Sequence, residues 1–115
     1  MVSVDTNVLI RLFVDDPTAQ EQVRKVRERL AREQHVFVCQ PVQIETAWVL
    51  DRCCDFGKVE LLRVLDELAQ NRAFQLEQEE LFQTALAIFR AANIGFADAV
   101  VLAIGRHRDL PTLTL

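Results

Sequence analysis

Met1-Val2-Ser3-Val4-Asp5-Thr6-Asn7-Val8-Leu9-Ile10 opens the chain and decides how the rest of it is read. Val2 and Val4 alternate with Ser3 in the two-residue period of a short strand. Asp5 follows where that strand should stop. Thr6 and Asn7 offer helix N-cap chemistry, and Val8 to Phe13 continue as an apolar helix. A carboxylate is thereby expected at the carboxyl end of a strand, facing the edge where open α/β sheets bind their ligands.

The remaining elements extend that unit. Asp16 and Pro17 suit a helix start, and the helix is expected to run to about Glu33. Its apolar stripe, Val23, Val26 and Leu30, is narrow, and the rest is charged. Glu21 with Lys25 and Glu28 with Arg32 stand four apart with the acid first, the favourable order for surface pairs. Five basic residues on this helix read either as a solvated face with paired charges or as an RNA-facing patch. Val36 to Cys39 is wholly apolar, the pattern of a strand covered on both faces. A helix follows from Pro41, with Glu45 in its first turns between Ile44, Ala47 and Trp48, residues expected to pack. Asp55 to Lys58 is a loop, and Val59 to Asn71 is a helix by its leucine spacing. Ala73 to Glu77 alternates as a third strand. Glu79 to Ala92 is an amphipathic helix, ended by Asn93-Ile94-Gly95. Glu77, Glu79 and Glu80 read as surface charge favoured by that helix's dipole. The last helix, opened by Phe96-Ala97-Asp98, is apolar on every side to Ile104 and is expected to be interior. After the turn at Leu110-Pro111, Thr112 to Leu115 reads as a fourth strand. Strands alternating with helices argue an α/β domain with a parallel sheet of four strands and helices on both faces.

Composition narrows the function. At 115 residues, half of them hydrophobic, the chain is long enough for one domain with a real core. No apolar run is long enough to span a membrane and no leader precedes Asp5, so a soluble, cytoplasmic protein is expected, with no membrane partner. The formal charge of −4 gives no general attraction to polyanions, so a nucleic-acid substrate would have to rely on metal ions and local basic patches. Cys39, Cys53 and Cys54 show no metal-ligand spacing and are expected to be buried free thiols. His35 and His107 are isolated, and no Ser-His-Asp set or glycine-rich phosphate loop is present.

Three acids stand out against apolar surroundings: Asp5 after the first strand, Glu45 just after the second, and Asp98, the only charge between Arg90 and Arg106. Glu45 and Asp98 each admit a simpler explanation as partners of a helix dipole. Gathered on one sheet edge, the three would repel one another unless they found a cation. Oxygen-only ligands suit Mg²⁺ or Mn²⁺ rather than zinc. Such an ion can activate water and neutralise charge on a phosphodiester.

With these motifs in order, the chain resembles PIN domains, and among them the VapC-type toxin ribonucleases. The matching stretches are Val4 to Ile10, Gln43 to Leu50 (Gln-Ile-Glu-Thr-Ala-Trp-Val-Leu) and Gly95 to Ala99 with its apolar helix. The resemblance covers essentially the whole chain. It implies a three-layer PIN-like fold and a metal-dependent endoribonuclease with Asp5, Glu45 and Asp98 as the catalytic, metal-holding acids. Thr6, Asn7 and Thr114 would orient the ligands from behind. It also implies Mg²⁺ or Mn²⁺ as cofactor, cleavage leaving a 5′-phosphate, a homodimer, and a cognate antitoxin whose tail occupies the acidic pocket. An antitoxin arginine would suit those carboxylates. The family carries a fourth acid just after a threonine matching Thr114, then a last helix and strand. Relative to that pattern the single domain, residues 1–115, reads as C-terminally truncated, with the fifth strand missing. Two alternatives compete with the nuclease: a PIN-like module that contacts a protein without catalysis, and a phosphotransfer fold. The latter wants Asp-x-Asp after the first strand, where this chain has Asn7, or a lysine beyond the third, where it has none.

Overall fold

In the computed structural model, which describes residues 1–115, the order is β1 (Val2–Ser3), α1 (Thr6–Phe13), a 3₁₀ turn (Pro17–Ala19), α2 (Gln20–Leu30), β2 (Val36–Val38), α3 (Gln40–Cys53), α4 (Lys58–Gln70), β3 (Phe74–Leu76), α5 (Glu79–Ala91) and α6 (Phe96–His107). The three strands are parallel in spatial order β1-β2-β3, with Val2 opposite Val36 and Val36 opposite Phe74. Each crossover carries helices, as a parallel connection requires. All three strands therefore end at one edge, from which α1, α3 and α5 depart.

The fourth strand is not formed. Thr112 to Leu115 has no strand geometry, and β1 pairs with β2 alone. The reason lies at the end of α6. Asp109 adopts a left-handed conformation, and the Leu110 amide donates back to the Gly105 carbonyl at 2.8 Å. This folds the tail onto its own helix, bringing Thr112 against Gly105. A side chain at position 105 would place its Cβ 2.6 Å from the Thr112 hydroxyl. Leu113 and Leu115 then face solvent. Four residues along β1 would gain few ladder hydrogen bonds against the cost of ordering them.

The core joins all layers. Leu9, Val38, Leu50, Leu65, Leu68 and Phe82 are its most enclosed large apolar side chains. α2 contributes no buried residue and is held through Val23, Val26 and Leu30 and its packing on α1. It ends at Leu30 rather than Glu33. Its charges pair differently from the expected pattern. Arg24 bonds both Glu21 and Glu28, and Arg29 bonds Glu33, because one forked guanidinium serves acids on the turns before and after it. Lys25 and Arg32 make no ion pair.

Other expectations need correction. α6 is buried along Phe96, Ala99, Val100 and Ala103, but Val101 is 54% exposed, so the helix is covered on one side and not interior. Gly95 does not close α5, which ends at Ala91 with extended Ala92 as its cap. It is the extended residue from which α6 starts. None of the cysteines is buried: Cys53 is exposed, and Cys39 and Cys54 are half-buried. Trp48 is 55% exposed, because the inner stripe of α3 is Gln43, Thr46, Ala47 and Leu50.

Candidate active site

Each of the three acids sits at the start of a helix, and each start is fixed by a different device. Asp5 itself, and not Thr6 or Asn7, is the N-cap of α1: its extended backbone leaves β1, and its Oδ1 accepts the Val8 amide at 3.0 Å. Thr6 is buried beneath it and Asn7 is exposed. The other carboxylate oxygen of Asp5 has no protein partner.

Glu45 stands in the second turn of α3, whose N-cap, Cys39, offers no side-chain hydrogen bond. The missing acceptor comes from the neighbouring strand. Glu77 Oε1 accepts the amide of Gln40, the first residue of α3, at 2.8 Å. Buried Gln43 completes the brace, donating from Nε2 to the carbonyls of Val38 (3.0 Å) and Glu77 (2.8 Å). One helix is thus tied to the carboxyl ends of two strands, with a carboxylate placed favourably at its positive end. Glu77 is therefore a cap, not surface decoration. Gln43 carried a legible signal, a polar residue on the apolar stripe 43-47-50. The partner of Glu77 was not legible, because it lies on another element.

Asp98 belongs to the first turn of α6, and an aromatic wedge fixes that turn. Phe96 packs edge-on against Phe82 and Phe89 of α5, with centroids 5.6 and 5.9 Å away. Lys58 lies over the Phe89 ring and donates to the Ala92 carbonyl at 2.6 Å, closing the end of α5.

α3 packs against both α1 and α6. Glu45 lines a shallow depression of about 510 Å³ with Gln40, Pro41, Ile44 and Trp48. Asp98 lines a second, of about 450 Å³, which shares Ile44 and Trp48 with the first. The structure thus brings Glu45 and Asp98 to adjoining hollows on one surface. Asp5 lines neither. No three acidic, histidine or cysteine side chains stand close enough to hold one ion between them. All three acids are exposed and none forms an ion pair. Thr114 is exposed on the tail. His35 and His107 serve other contacts, with the Arg72 carbonyl and the Thr84 hydroxyl.

The sequence profile of the PIN domain family matches residues 2–115. The chain belongs to the PIN domain family. No curated protein matches it significantly. Among solved structures it resembles the crystal structure of Mycobacterium tuberculosis VapC20, a sarcin-ricin loop cleaving toxin, with a TM-score of 0.53 and 16% identity over 96% of this chain and 85% of that one. At that identity the likeness is one of fold. No helix of this PIN domain is long and apolar enough to cross a membrane.

As ligands, three carboxylates fit a hard divalent cation in chemistry, being oxygen donors without cationic partners. As they stand, they would have to turn toward a shared ion. Asp5 keeps one carboxylate oxygen without a protein partner.

Proposed function

We propose that this PIN domain is a metal-dependent endoribonuclease of the VapC toxin type, with Asp5, Glu45 and Asp98 as its acids. The observation that supports the reading is the placement of Glu45 and Asp98 on adjoining hollows of one surface, on the packed helices α3 and α6, in a chain of this family. The ion, Mg²⁺ or Mn²⁺, would supply an activated water and charge neutralisation at the phosphodiester. The chain's own contribution is to hold the carboxylates at braced helix starts: Asp5 by its own cap, Glu45 through Glu77 and Gln43, Asp98 through the Phe96 wedge. Thr6 and Asn7 flank the first acid and would orient it. Thr114 has that role only in a form where the tail leaves α6 to lie beside β1. A cytoplasmic homodimer restrained by an antitoxin belongs to the same proposal.

The test is cleavage of RNA with Mg²⁺ or Mn²⁺, compared among the wild type, Glu45→Gln and Asp98→Asn, with Mn²⁺ binding followed by calorimetry. Loss of cleavage and of binding in both variants is expected. Undiminished cleavage in either removes that acid from the site. The second reading, a PIN-like module that contacts a protein without catalysis, is favoured by the absence of a ready-gathered triad. It predicts no Mn²⁺ binding by the wild type.

A further inference from the structure

Lys58 is the first residue of α4, where the positive end of the helix dipole disfavours a cation. Its own helix therefore does not account for it. Its partners lie on α5. Nζ donates to the Ala92 carbonyl at 2.6 Å and stands 5.1 Å from the centre of the Phe89 ring. A cation is favoured there, because a helix C-terminus presents carbonyls and a negative partial charge. α5 has a basic residue in its own last turn, Arg90, but that guanidinium is engaged by Asp66 of α4. Lys58 supplies from the neighbouring helix what Arg90 does not.

The chain beyond Ala92 leads straight to the acid-bearing surface. Asn93, Ile94 and Gly95 join α5 to α6, and Asp98 stands in the first turn of α6. Asn93 and Ile94 make no backbone hydrogen bond, and no side chain caps α6. Ile94 packs on the core. The one hydrogen bond that reaches this linker from outside α5 and α6 is the bond from Lys58 to Ala92. A second path runs through the rings. Lys58 lies over Phe89, Phe89 meets Phe96 edge-on at 5.9 Å, and Phe96 opens the helix turn that carries Asp98. Lys58 lines the same hollow as Asp98 but makes no ion pair with it.

We propose that Lys58 is a positioning residue for Asp98. By clasping the end of α5 it fixes the short linker from which α6 starts, and so sets where the Asp98 carboxylate stands relative to Glu45 on the packed helix α3. The proposal rests on the nuclease reading and deepens it. The last of the three acids is held in place from α4, a helix that carries none of them.

Three variants test it. Lys58→Met keeps an apolar stem over Phe89 and removes the donor and the charge, whereas Lys58→Arg keeps both. Asp66→Ala breaks the other tie between α4 and α5 without touching the linker, and is the control. Amide hydrogen exchange of the full chain, without metal, reads the clasp directly. In Lys58→Met the first bonded amides of α6, from Ala99 onward, should exchange about 5-fold faster, the worth of one hydrogen bond, while those inside α3 do not change. Lys58→Arg should return them to the wild-type rate, and Asp66→Ala should leave them there. In RNA cleavage, Lys58→Met should need roughly 10-fold more Mn²⁺ for half-maximal rate, the low end for residues that support a ligand from behind, with KM for RNA unchanged. Unaltered exchange at Ala99, or the same acceleration throughout the chain, would overturn the proposal. So would a raised KM for RNA at an unchanged Mn²⁺ requirement, which would make Lys58 a phosphate contact instead. If the wild type cleaves RNA and Lys58→Met matches it at every Mn²⁺ concentration, the nuclease reading stands and the positioning role falls. If the wild type neither binds Mn²⁺ nor cleaves RNA while exchange responds as expected, the nuclease reading falls and the hold of Lys58 on α6 stands.

Discussion

α1 begins at one aspartate and is tied at its far end to another, and the two carboxylates are used differently. Asp16 caps the 3₁₀ turn with every oxygen engaged. Its Oδ1 accepts both the amide and the hydroxyl of Thr18 (2.9 and 2.7 Å), and its Oδ2 accepts from Arg11 at 3.3 Å. Arg11 in turn reaches Gln22, fastening α2 to α1. The Thr18 hydroxyl and amide, then Arg11, hold the Asp16 carboxyl below the usual carboxylate range. Asp5 makes one capping bond and no ion pair. An acid whose hydrogen-bonding capacity is used up by the fold is a structural acid, whereas one with an unused oxygen at a sheet edge is free to bind a ligand.

The largest expected effect separates the two by charge alone. Asn caps a helix as well as Asp does, so Asp5→Asn should leave the thermal midpoint unchanged. It should reduce metal-dependent RNA cleavage by more than about 100-fold, beyond the 10–100-fold typical of residues that only support a ligand. Full activity in Asp5→Asn would erase the distinction between the two aspartates. Asp5→Ala sharpens it: the same loss of cleavage, now with about 1 kcal/mol of stability from the lost cap, read by urea denaturation.

Asp16→Ala should do the opposite, lowering the thermal midpoint as the Arg11 and Thr18 contacts go, while cleavage per folded molecule stays at the wild-type rate. A smaller effect concerns acid. Asp16, and Glu33, held down by Arg29 and the Met1 amine, have lower values folded than unfolded. Such groups stabilise the fold fully above their unfolded values and lose that contribution as pH falls through the folded ones. Stability measured downward from about pH 4 should therefore fall less steeply in Asp16→Asn than in the wild type. Equal slopes would show that Asp16 is not held as described. The smallest change is at Thr46, whose buried hydroxyl has no partner. Thr46→Val should be neutral or stabilise by up to about 1 kcal/mol, and a marked loss would reveal a partner for that oxygen.

The sequence was most legible where neighbours along the chain decide the structure. The strand-then-acid opening, the helices with strong apolar spacing and the parallel order of three strands all follow from short-range pattern. It misled where one surface had to choose between partners. The run Thr112 to Leu115 alternates like a strand, yet Gly105 lets the tail dock on α6. Ile44, Ala47 and Trp48 look alike in sequence, yet only Ala47 lies on the inner stripe of α3. Glu77 looks like one acid of a surface clump, yet it caps a helix that starts 37 residues earlier.

By itself, then, the sequence determined the kinds of element, their order and which acids stand at helix starts, because capping, periodicity and turn chemistry act within a few residues. Only the tertiary structure decided which of those acids share a surface, which is spent on a cap, and that Trp48 stands in the open beside Glu45. Those outcomes depend on how helices far apart in the chain pack over one sheet, and no local pattern encodes which face each helix turns toward the others.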